Sequence, residues 1–326
     1  MRWITSPRRP RAKKELAVPR DRRVVITGMG AVSPLGNDVA ALWDGFMSGR
    51  SGIGRITRFD TEGFATTIAG EVKDFDPLKW IAKRETRQMD RFIHFAVGAT
   101  DEAMKDASLE IDDELSPRAG TIVGVGLGGL ESLEATHNVL LNKGPRRISP
   151  YFIPMMIGNL APGQISMRYN ARGPNLTTTS ACASSAHGLG DAARWITHGV
   201  ADVMISGGAE AVVTALGVGG FNALKALSTR NDEPQRASRP FDRDRDGFVI
   251  AEGAGILILE ELEHARKRGA KIYCELTGYG ATGDANHITA PAPGGEGAVR
   301  CMTQCMNDAQ LNPDQVDYIN AHGTST

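Results

Sequence analysis

Cys182 lies in the part of this sequence that is best suited to covalent chemistry. Residues 175–179, which precede it, are mostly small, β-branched or apolar, as expected of a buried strand. Apolar residues then recur at helical spacing between Ala183 and Ile196. Cys182 is therefore expected at or next to a helix N-terminus, where exposed N–H groups and the macrodipole favour a thiolate. On this segment alone, a nucleophile and a buried structural cysteine both remain open.

The seven histidines of the chain differ in what their positions suggest. His287 and His322 lie in small-residue loops just after strands or at a strand's end, where parallel α/β folds place their sites. His187 falls in the helix after Cys182 and is expected to pack near it. A helix-start cysteine with a histidine after a distant strand is typical of nucleophilic catalysis. The other histidines lie in helical stretches and are interpreted as surface or core residues: His94, His137, His198 and His264.

The elements that must position these side chains alternate between strand and helix. Their apolar runs are continuous, which indicates an α/β fold with a parallel or mixed sheet covered on both faces. Strands are predicted at residues 24–27, 121–125, 175–179, 201–205, within 248–260, and at 316–320. Helices are predicted from a cap at Asn37 to about Met47 and at residues 86–106, 153–169, 183–196, 261–268 and 297–308.

Residues 24–31 and 274–281 resemble each other, since each is a strand followed by Thr-Gly-x-Gly-Ala. The echo predicts a duplicated unit whose second copy begins near Lys271. The second copy then continues with the helix and the strand predicted over residues 297–308 and 316–320.

Composition narrows the class of protein. The chain has 326 residues, 41% of them hydrophobic, and a formal charge of −1, which argues against nucleic acid as the main partner. No apolar run approaches the length of a membrane span. Four cysteines without a disulfide framework predict a cytoplasmic protein. Residues 1–22 form a basic arm that is expected to be disordered, with organelle targeting as the minor alternative.

Three patterns resemble ligand sites but are better explained by structure. Residues 124–129 match G-x-G-x-x-G without the acid that a nicotinamide site needs, so these glycines are expected to pack backbone against backbone. Residues 242–247 begin like a calcium loop, but its twelfth position is Gly253, which favours a salt-bridge loop. Cys301 and Cys305 lie one helical turn apart with no second pair, which favours core packing over zinc. No metal site is predicted.

Several motifs in the right order resemble the β-ketoacyl-[acyl-carrier-protein] synthase family, closest to its type II members. The resemblance covers about residues 23–326 and is specific because all the motifs agree. They are TSACASS at 179–185, GGAE at 207–210, ALSTRND at 226–232, SRPFD at 238–242, DGF at 246–248, EGAG at 252–255 and NAHGTST at 320–326.

The resemblance implies the thiolase fold, in which two similar halves, each with a mixed five-stranded sheet, stack as α-β-α-β-α layers. Residues 23–269 would form the N-terminal half that carries the cysteine. Residues 270–326 would begin the C-terminal half, which would be incomplete. A homodimer is also implied.

The implied activity is an acyltransfer that elongates fatty acids by decarboxylative Claisen condensation. Cys182 would carry the acyl group as a thioester, and His322 would stabilise the enolate formed from malonyl-acyl carrier protein. The partners would be acyl carrier protein and its malonyl and acyl forms. No cofactor of the enzyme's own is implied, because the phosphopantetheine arm belongs to the carrier protein.

The resemblance also assigns substrate-binding positions. They are Thr324 and Thr326 for the pantetheine arm, Thr289 and Pro291 for its channel, and Leu127, Phe152 and Phe221 for the acyl pocket, although the last three could equally be core. A polyketide-type ketosynthase remains an alternative, as does a non-catalytic member that dimerises or forms a pocket. A decarboxylase-only member would have Gln at the position of Cys182, and the NAHGTST form disfavours a thiolase.

In the family pattern a second histidine, a lysine and a Gly-Phe-Gly-Gly turn follow the first histidine, whereas this sequence stops at Thr326. We therefore expect a fragment, and we expect the 326-residue chain alone not to condense malonyl and acyl groups. Incubation of the purified chain with malonyl- and acyl-acyl carrier protein, followed by product analysis, checks this expectation. Any 3-oxoacyl product would contradict it.

Overall fold

The computed structural model describes residues 22–326, and a mixed β-sheet forms its centre. In chain order the strands are β1 (Val24–Val32), β2 (Gly54–Arg55), β3 (Ile68–Ala69), β4 (Ala119–Gly124), β5 (Asn175–Thr178), β6 (Val203–Glu210), β7 (Gly253–Glu261) and β8 (Cys274–Glu275). The central sheet has the order β5-β4-β6-β7-β1-β8, and β2 pairs with β3 separately. Strand β4 runs parallel to β5 and β6, whereas β7 is antiparallel to β6 and β1.

The helices connect these strands. They are α1 (Val39–Met47), α2 (Lys83–Thr86), α3 (Arg91–Asp106), α4 (Leu130–Lys143), α5 (Phe152–Met156), α6 (Leu160–Tyr169), α7 (Ser184–Thr197), α8 (Ala215–Ala223), α9 (Leu262–Lys267) and α10 (Glu296–Ala309). Residues 22–326 contain no helix that combines the length and the apolar character needed to cross a bilayer.

Helices cover both faces of the sheet, as the continuous apolar runs predicted. On one face, Phe95 of α3 packs in a buried cluster with Ile205 of β6. On the other face, Ile196 of α7 packs in a second cluster with Met204, the strand residue next to Ile205. Successive strand residues point to opposite faces, so both sides of β6 must be apolar to be buried.

Two strands are longer than the sequence predicted. Strand β1 does not end at Thr27 but continues through Gly28 and Gly30 to Val32, and β6 continues beyond Ile205 to Glu210. In the structure both extensions, glycines included, pair with β7. Tertiary pairing therefore overrides the local tendency of glycine to end a strand.

Three predicted helical boundaries also differ. Asp38 rather than Asn37 caps α1, because its Oδ1 accepts a hydrogen bond from the Ala41 N–H at 2.7 Å. The helix predicted over 86–106 begins at Arg91 after a separate short α2. The helix predicted over 153–169 is divided into α5 and α6, because Ile157 has extended backbone angles. The remaining predicted helices are present with shifts of one or two residues at their ends.

The strand predicted at residues 316–320 is wrong for the described structure. These residues are exposed and form neither strand nor bridge, with Tyr318 78% exposed. Within residues 22–326 no strand lies beside them to supply hydrogen bonds, and an isolated segment cannot be stabilised as a strand. The division into halves at 269/270 stays a prediction. The arm predicted at residues 1–22 lies outside the described residues except for Arg22, which binds Asp202.

The duplicated unit predicted from the two Thr-Gly-x-Gly-Ala segments is present as a repeated strand–helix contact. A Cβ on Gly28 would lie 2.3 Å from the Ala103 carbonyl oxygen of α3. A Cβ on Gly278 would lie 2.5 Å from the Cys305 carbonyl oxygen of α10. In both units only glycine lets the helix backbone approach the preceding segment this closely.

Hydrogen bonds reproduce the same correspondence. The Met29 N–H donates to the Asp106 carboxylate at 3.0 Å, and the Tyr279 N–H donates to the Asp308 carboxylate at 2.8 Å. Each helix therefore carries, in its last turn, an aspartate that binds the middle residue of the Gly-x-Gly segment. Matching steric and polar contacts at matching positions confirm the internal duplication as a structural feature.

Glu260 is a fully buried carboxylate that joins β1, β7 and α9. Its Oε2 accepts hydrogen bonds from His264 Nδ1 at 2.8 Å and Arg268 Nε at 2.9 Å, and Thr27 donates its hydroxyl to Oε1. Burial alone would raise the pKa of Glu260, but these donors outweigh burial and lower it to about 2. The ionised carboxylate is therefore part of the folded state.

We expect Glu260→Gln to lower the free energy of unfolding at pH 7 by about 3 kcal/mol, because Arg268 loses its buried counter-charge. The stabilisation by Glu260 in the wild type is complete above the ordinary pKa of 4.5 and is lost as the pH falls toward about 2. Denaturant unfolding at neutral pH and across this acid range measures both effects.

Glu263→Gln is the matched control, because Glu263 is an exposed glutamate of α9 that pairs with Arg266 on the surface. We expect its unfolding free energy to change by less than about 0.5 kcal/mol. Equal destabilisation by the two substitutions would contradict the special role of Glu260.

Candidate active site

Cys182 lies in a tight turn between β5 and α7, as the sequence predicted. It is exposed, and α7 begins two residues later at Ser184. Ala181 has φ of 51°, a left-handed conformation that is uncommon for a residue with a Cβ. Ser184 holds the turn, because its Oγ accepts from the Ser180 N–H at 2.9 Å and donates to the Ala181 carbonyl at 2.7 Å. The turn therefore presents the thiol outward from a fixed backbone.

His187 packs near Cys182, as predicted. Its Nδ1 is 2.5 Å from the Ser180 hydroxyl, which belongs to the same turn. The ring also meets Tyr279 edge-on, with 6.4 Å between the ring centroids. Tyr279 belongs to the second copy of the repeated unit, so this copy packs against the helix that follows Cys182.

A glycine-rich loop also lies against the Cys182 turn. Thr179 donates its hydroxyl to the Val125 carbonyl at 3.0 Å, and the Val125 N–H donates to the Thr178 carbonyl at 3.1 Å. Gly124 packs on the Ser184 backbone, where a Cβ would lie 2.3 Å from the carbonyl carbon. The prediction that these glycines permit close backbone packing is therefore confirmed.

Glu210 organises this loop, although by sequence it stands out only as the last residue of the GGAE motif. Its Oε2 accepts from the N–H groups of Gly126 and Leu127, each at 2.8 Å, and its Oε1 accepts from the Gly128 N–H at 3.0 Å. Burial raises the pKa of Glu210 despite these three donors, and the charge of Asp90 contributes in the same direction. The contact between Glu210 and this loop could have been identified from two features of the sequence. A glycine-rich turn follows one predicted strand, and an acid follows another.

The segment that carries His322 is attached to the loop at residues 239–247. Ser325 is 2% exposed; its carbonyl accepts from the Gly247 N–H at 2.9 Å, and its Oγ accepts from the Arg239 N–H at 3.1 Å. Asp246 braces the loop by accepting from the Ser228 hydroxyl at 2.6 Å. His322 itself is exposed.

The predicted salt-bridge loop at residues 242–247 does contain ion pairs. Arg239 binds Asp246 at 3.1 Å, and Arg243 binds Asp244 at 3.2 Å. Arg245 donates to the Thr326 carbonyl at 3.0 Å, so this loop also contacts the end of the His322 segment. No cluster of three or more His, Cys, Asp or Glu side chains with metal-binding geometry occurs among residues 22–326.

The sheet topology places the Cys182 turn at the end of the strands where the chain also enters β7. Strands β4, β5 and β6 are parallel, so the turn after β5 and Glu210 at the end of β6 lie at the same edge. Strand β7 runs the opposite way and begins there, with Gly253 paired to Glu210. The loop that holds Ser325 immediately precedes β7.

The predicted substrate-binding residues fall into two groups. In the first group, Thr324 and Thr326 lie beside His322 in the sequence, and their hydroxyls are 2.6 Å apart. Leu127 belongs to the glycine-rich loop next to the Cys182 turn. Phe221 lies on α8 and packs against Phe248. Phe152 begins α5, which contacts the glycine-rich loop through the Met156 carbonyl and the Gly129 N–H at 2.9 Å.

Thr289 and Pro291 belong to the second group, in an exposed loop at residues 276–292. The Thr289 N–H donates to His287 Nδ1 at 3.1 Å, so His287 supports this loop. Within the described residues, no hydrogen bond joins Thr289 or Pro291 to the Cys182 turn. Their place in a channel stays a prediction.

Comparisons with known proteins agree on one family. Residues 21–265 match the family model "Beta-ketoacyl synthase, N-terminal domain", and residues 273–326 match "Beta-ketoacyl synthase, C-terminal domain". A relative from Coxiella burnetii, "3-oxoacyl-[acyl-carrier-protein] synthase 2", is 51% identical over 305 residues, which are 94% of this chain and 74% of the relative.

Solved structures show the same similarity. A β-ketoacyl synthase from Burkholderia phymatum superposes with a TM-score of 0.86 at 36% identity. A type II polyketide synthase acyl-carrier protein in complex with its ketosynthase gives a TM-score of 0.83 at 35% identity. Each alignment covers 94% of this chain and 74% of the matched chain. The thiolase-like fold expected from the sequence is therefore confirmed.

If Cys182 is a nucleophile, it should react faster than the other exposed cysteine, Cys274. We expect iodoacetamide at neutral pH to alkylate Cys182 about 10-fold faster, because a fixed turn presents its thiol outward beside the N-terminal N–H groups of α7. Peptide mass spectrometry after short labelling times measures both rates in the same molecule. Equal rates would contradict an activated thiol at Cys182.

Proposed function

Because the chain belongs to the β-ketoacyl synthase family, we propose that it takes part in the decarboxylative condensation that lengthens fatty acyl chains by two carbons. Cys182 is the acyl carrier in this proposal. The observation that supports it most directly is the exposed thiol in a strained turn at the start of α7.

The first step is acyl transfer from the phosphopantetheine thiol of acyl carrier protein to Cys182. The Cys182 sulfur attacks the thioester carbonyl, and the carrier thiol leaves with the proton that the cysteine gives up. The product is an acyl-Cys182 thioester whose carbonyl carbon stays electrophilic. The Cys182 N–H contributes to the oxyanion hole for this step, since peptide N–H groups at a helix start point outward.

The second step uses malonyl-acyl carrier protein and assigns a role to His322. Loss of CO₂ leaves an enolate whose negative oxygen accepts a hydrogen bond from the His322 imidazole. A donor of this kind contributes about 3 kcal/mol in a site that excludes water. The enolate carbon attacks the acyl-Cys182 carbonyl, the C–S bond breaks, and a 3-oxoacyl thioester and free Cys182 result.

Binding residues follow from the same proposal. Thr324 and Thr326, whose hydroxyls already point at each other, bind the amides of the pantetheine arm. Thr289 and Pro291 line the channel for that arm. Leu127, Phe152 and Phe221 line the pocket for the acyl chain.

Partners and location complete the proposal. Acyl carrier protein is the carrier of both substrates, and the phosphopantetheine arrives on it, so the chain needs no cofactor of its own. Strand β5 is at an edge of the described sheet, where a second copy can pair, which supports a homodimer. Four free cysteines support a reducing, cytoplasmic location.

The alternatives differ in substrate or in catalysis. A polyketide-type ketosynthase shares the fold, but identity is 51% to a fatty-acid enzyme and 35% to the polyketide ketosynthase. A non-catalytic, pocket-forming or dimerising member is the other alternative, and an inert Cys182 would favour it.

Acylation of Cys182 is the step that tests the proposal on this chain. We expect incubation with acyl-acyl carrier protein to add one acyl group to Cys182, visible as a mass increase on the peptide that contains it. Hydroxylamine should release the group, because it is held as a thioester.

Cys182→Ala should abolish the acyl adduct, while Cys274→Ala, which changes the other exposed cysteine, should leave it unchanged. An adduct spread equally over several cysteines, or none at all in the wild type, would contradict the proposed function and favour a non-catalytic member.

A further inference from the structure

We infer that Glu210 is a positioning residue that determines which acyl chain lengths Cys182 accepts, an inference that rests on the function proposed above. The carboxylate acts through residues 126–128, here called the clamped loop, and not by contact with the reacting atoms. The three N–H groups of the clamped loop converge on its two oxygens at 2.8, 2.8 and 3.0 Å.

The clamp depends on close approach of the carboxylate to the backbone. A Cβ on Gly126 would lie 2.6 Å from Glu210 Oε2, so only glycine leaves room for the carboxylate there. An ionised carboxylate is the acceptor best suited to three donors, because it offers two oxygens and no competing proton. Glu210 ends a strand of the rigid sheet, which gives the clamped loop a fixed anchor.

The clamped loop lies between the Cys182 turn and two elements of the proposed acyl pocket. Val125, which precedes the clamped loop, forms hydrogen bonds with Thr178 and Thr179, the residues that lead into the Cys182 turn. On the opposite side, Gly129 bonds to the Met156 carbonyl of α5, the helix that carries Phe152. Position 130, the first residue of α4, approaches Gly217 of α8, the helix that carries Phe221.

Leu127 is the side chain that this clamp orients. It is 54% exposed, so packing does not hold it, and the bond from its own N–H to Glu210 is what fixes its backbone. Because Leu127 lines the acyl pocket in the proposed function, a long acyl chain on Cys182 passes this side chain, whereas a two- to four-carbon chain stays near the sulfur. Loosening the clamp should therefore affect long chains and leave short chains unchanged.

Two substitutions remove the clamp in different ways. Glu210→Gln places an NH₂ group against one of the loop N–H groups. Because both groups are donors, the hydrogen bond at that position is lost. Gly126→Ala keeps the charge and pushes the flexible end of the Glu210 side chain away from the loop. Glu131→Gln is the matched control, because Glu131 is a partly exposed glutamate on the next helix that pairs with Arg58.

The experiment compares Cys182 acylation rates with butyryl- and myristoyl-acyl carrier protein, and it measures iodoacetamide labelling of Cys182 in parallel. For Glu210→Gln and Gly126→Ala, we expect the myristoyl-to-butyryl rate ratio to fall about 10-fold. Labelling of Cys182 by iodoacetamide needs no pocket, so its rate should stay within about two-fold of the wild type. A general structural defect at the Cys182 turn would instead change the labelling rate. Glu131→Gln should leave all three rates unchanged.

Hydrogen exchange of the amides at residues 126–128 reports the clamp itself, and both variants should exchange faster there than the wild type. An unchanged rate ratio in variants with faster exchange would overturn the inference while leaving the proposed function intact. Absence of acylation in the wild type with either substrate would instead contradict the proposed function. If Glu210→Gln does not fold, Gly126→Ala gives the same comparison with the glutamate in place.

Discussion

Parallel pairing of β4 with β5 and β6 is the constraint on which the site depends. The register pairs Gly124 with Thr178 on one side and with Gly208 on the other, so the carboxyl ends of these three strands lie at the same end of the sheet. Parallel strands need helical crossovers, and these crossovers place α7, with Cys182 before it, at the same edge. A one-residue slip of β5 would move its side chains to the other face and disrupt the turn that presents the thiol.

Buried or partly buried carboxylates, rather than apolar contacts alone, hold the loops around this edge. Glu210 binds three N–H groups of the glycine-rich loop, and Asp90 binds the N–H and hydroxyl of Ser132 at the start of the next helix. Burial raises the pKa of Asp90 as it does that of Glu210. Loops rich in glycine have few side chains to pack, so backbone N–H groups and a charged acceptor supply the order that packing cannot.

Internal duplication explains why two distant parts of the chain have the same local design. Gly28 and Gly278 both face a helix carbonyl. The residue after each glycine donates its N–H to an aspartate of that helix, Asp106 in the first copy and Asp308 in the second. The first copy is embedded in the sheet through β1, whereas the second contributes the two-residue β8 and places Tyr279 against α7. The repeated unit thus serves as sheet core in one place and as a support for the cysteine helix in the other.

The sequence by itself determined the alternating α/β order, the cysteine before a helix, the duplicated unit and the family, because each depends on residue types at short spacing. Only the tertiary structure decided that β1 and β6 continue through their glycines, that residues 316–320 are not a strand, and that Glu210 clamps residues 126–128. These features depend on partners more than 40 positions away along the chain or on the presence of a neighbouring strand. Local spacing contains no information about such partners, since hydrogen bonds between distant segments exist only after the sheet has aligned them.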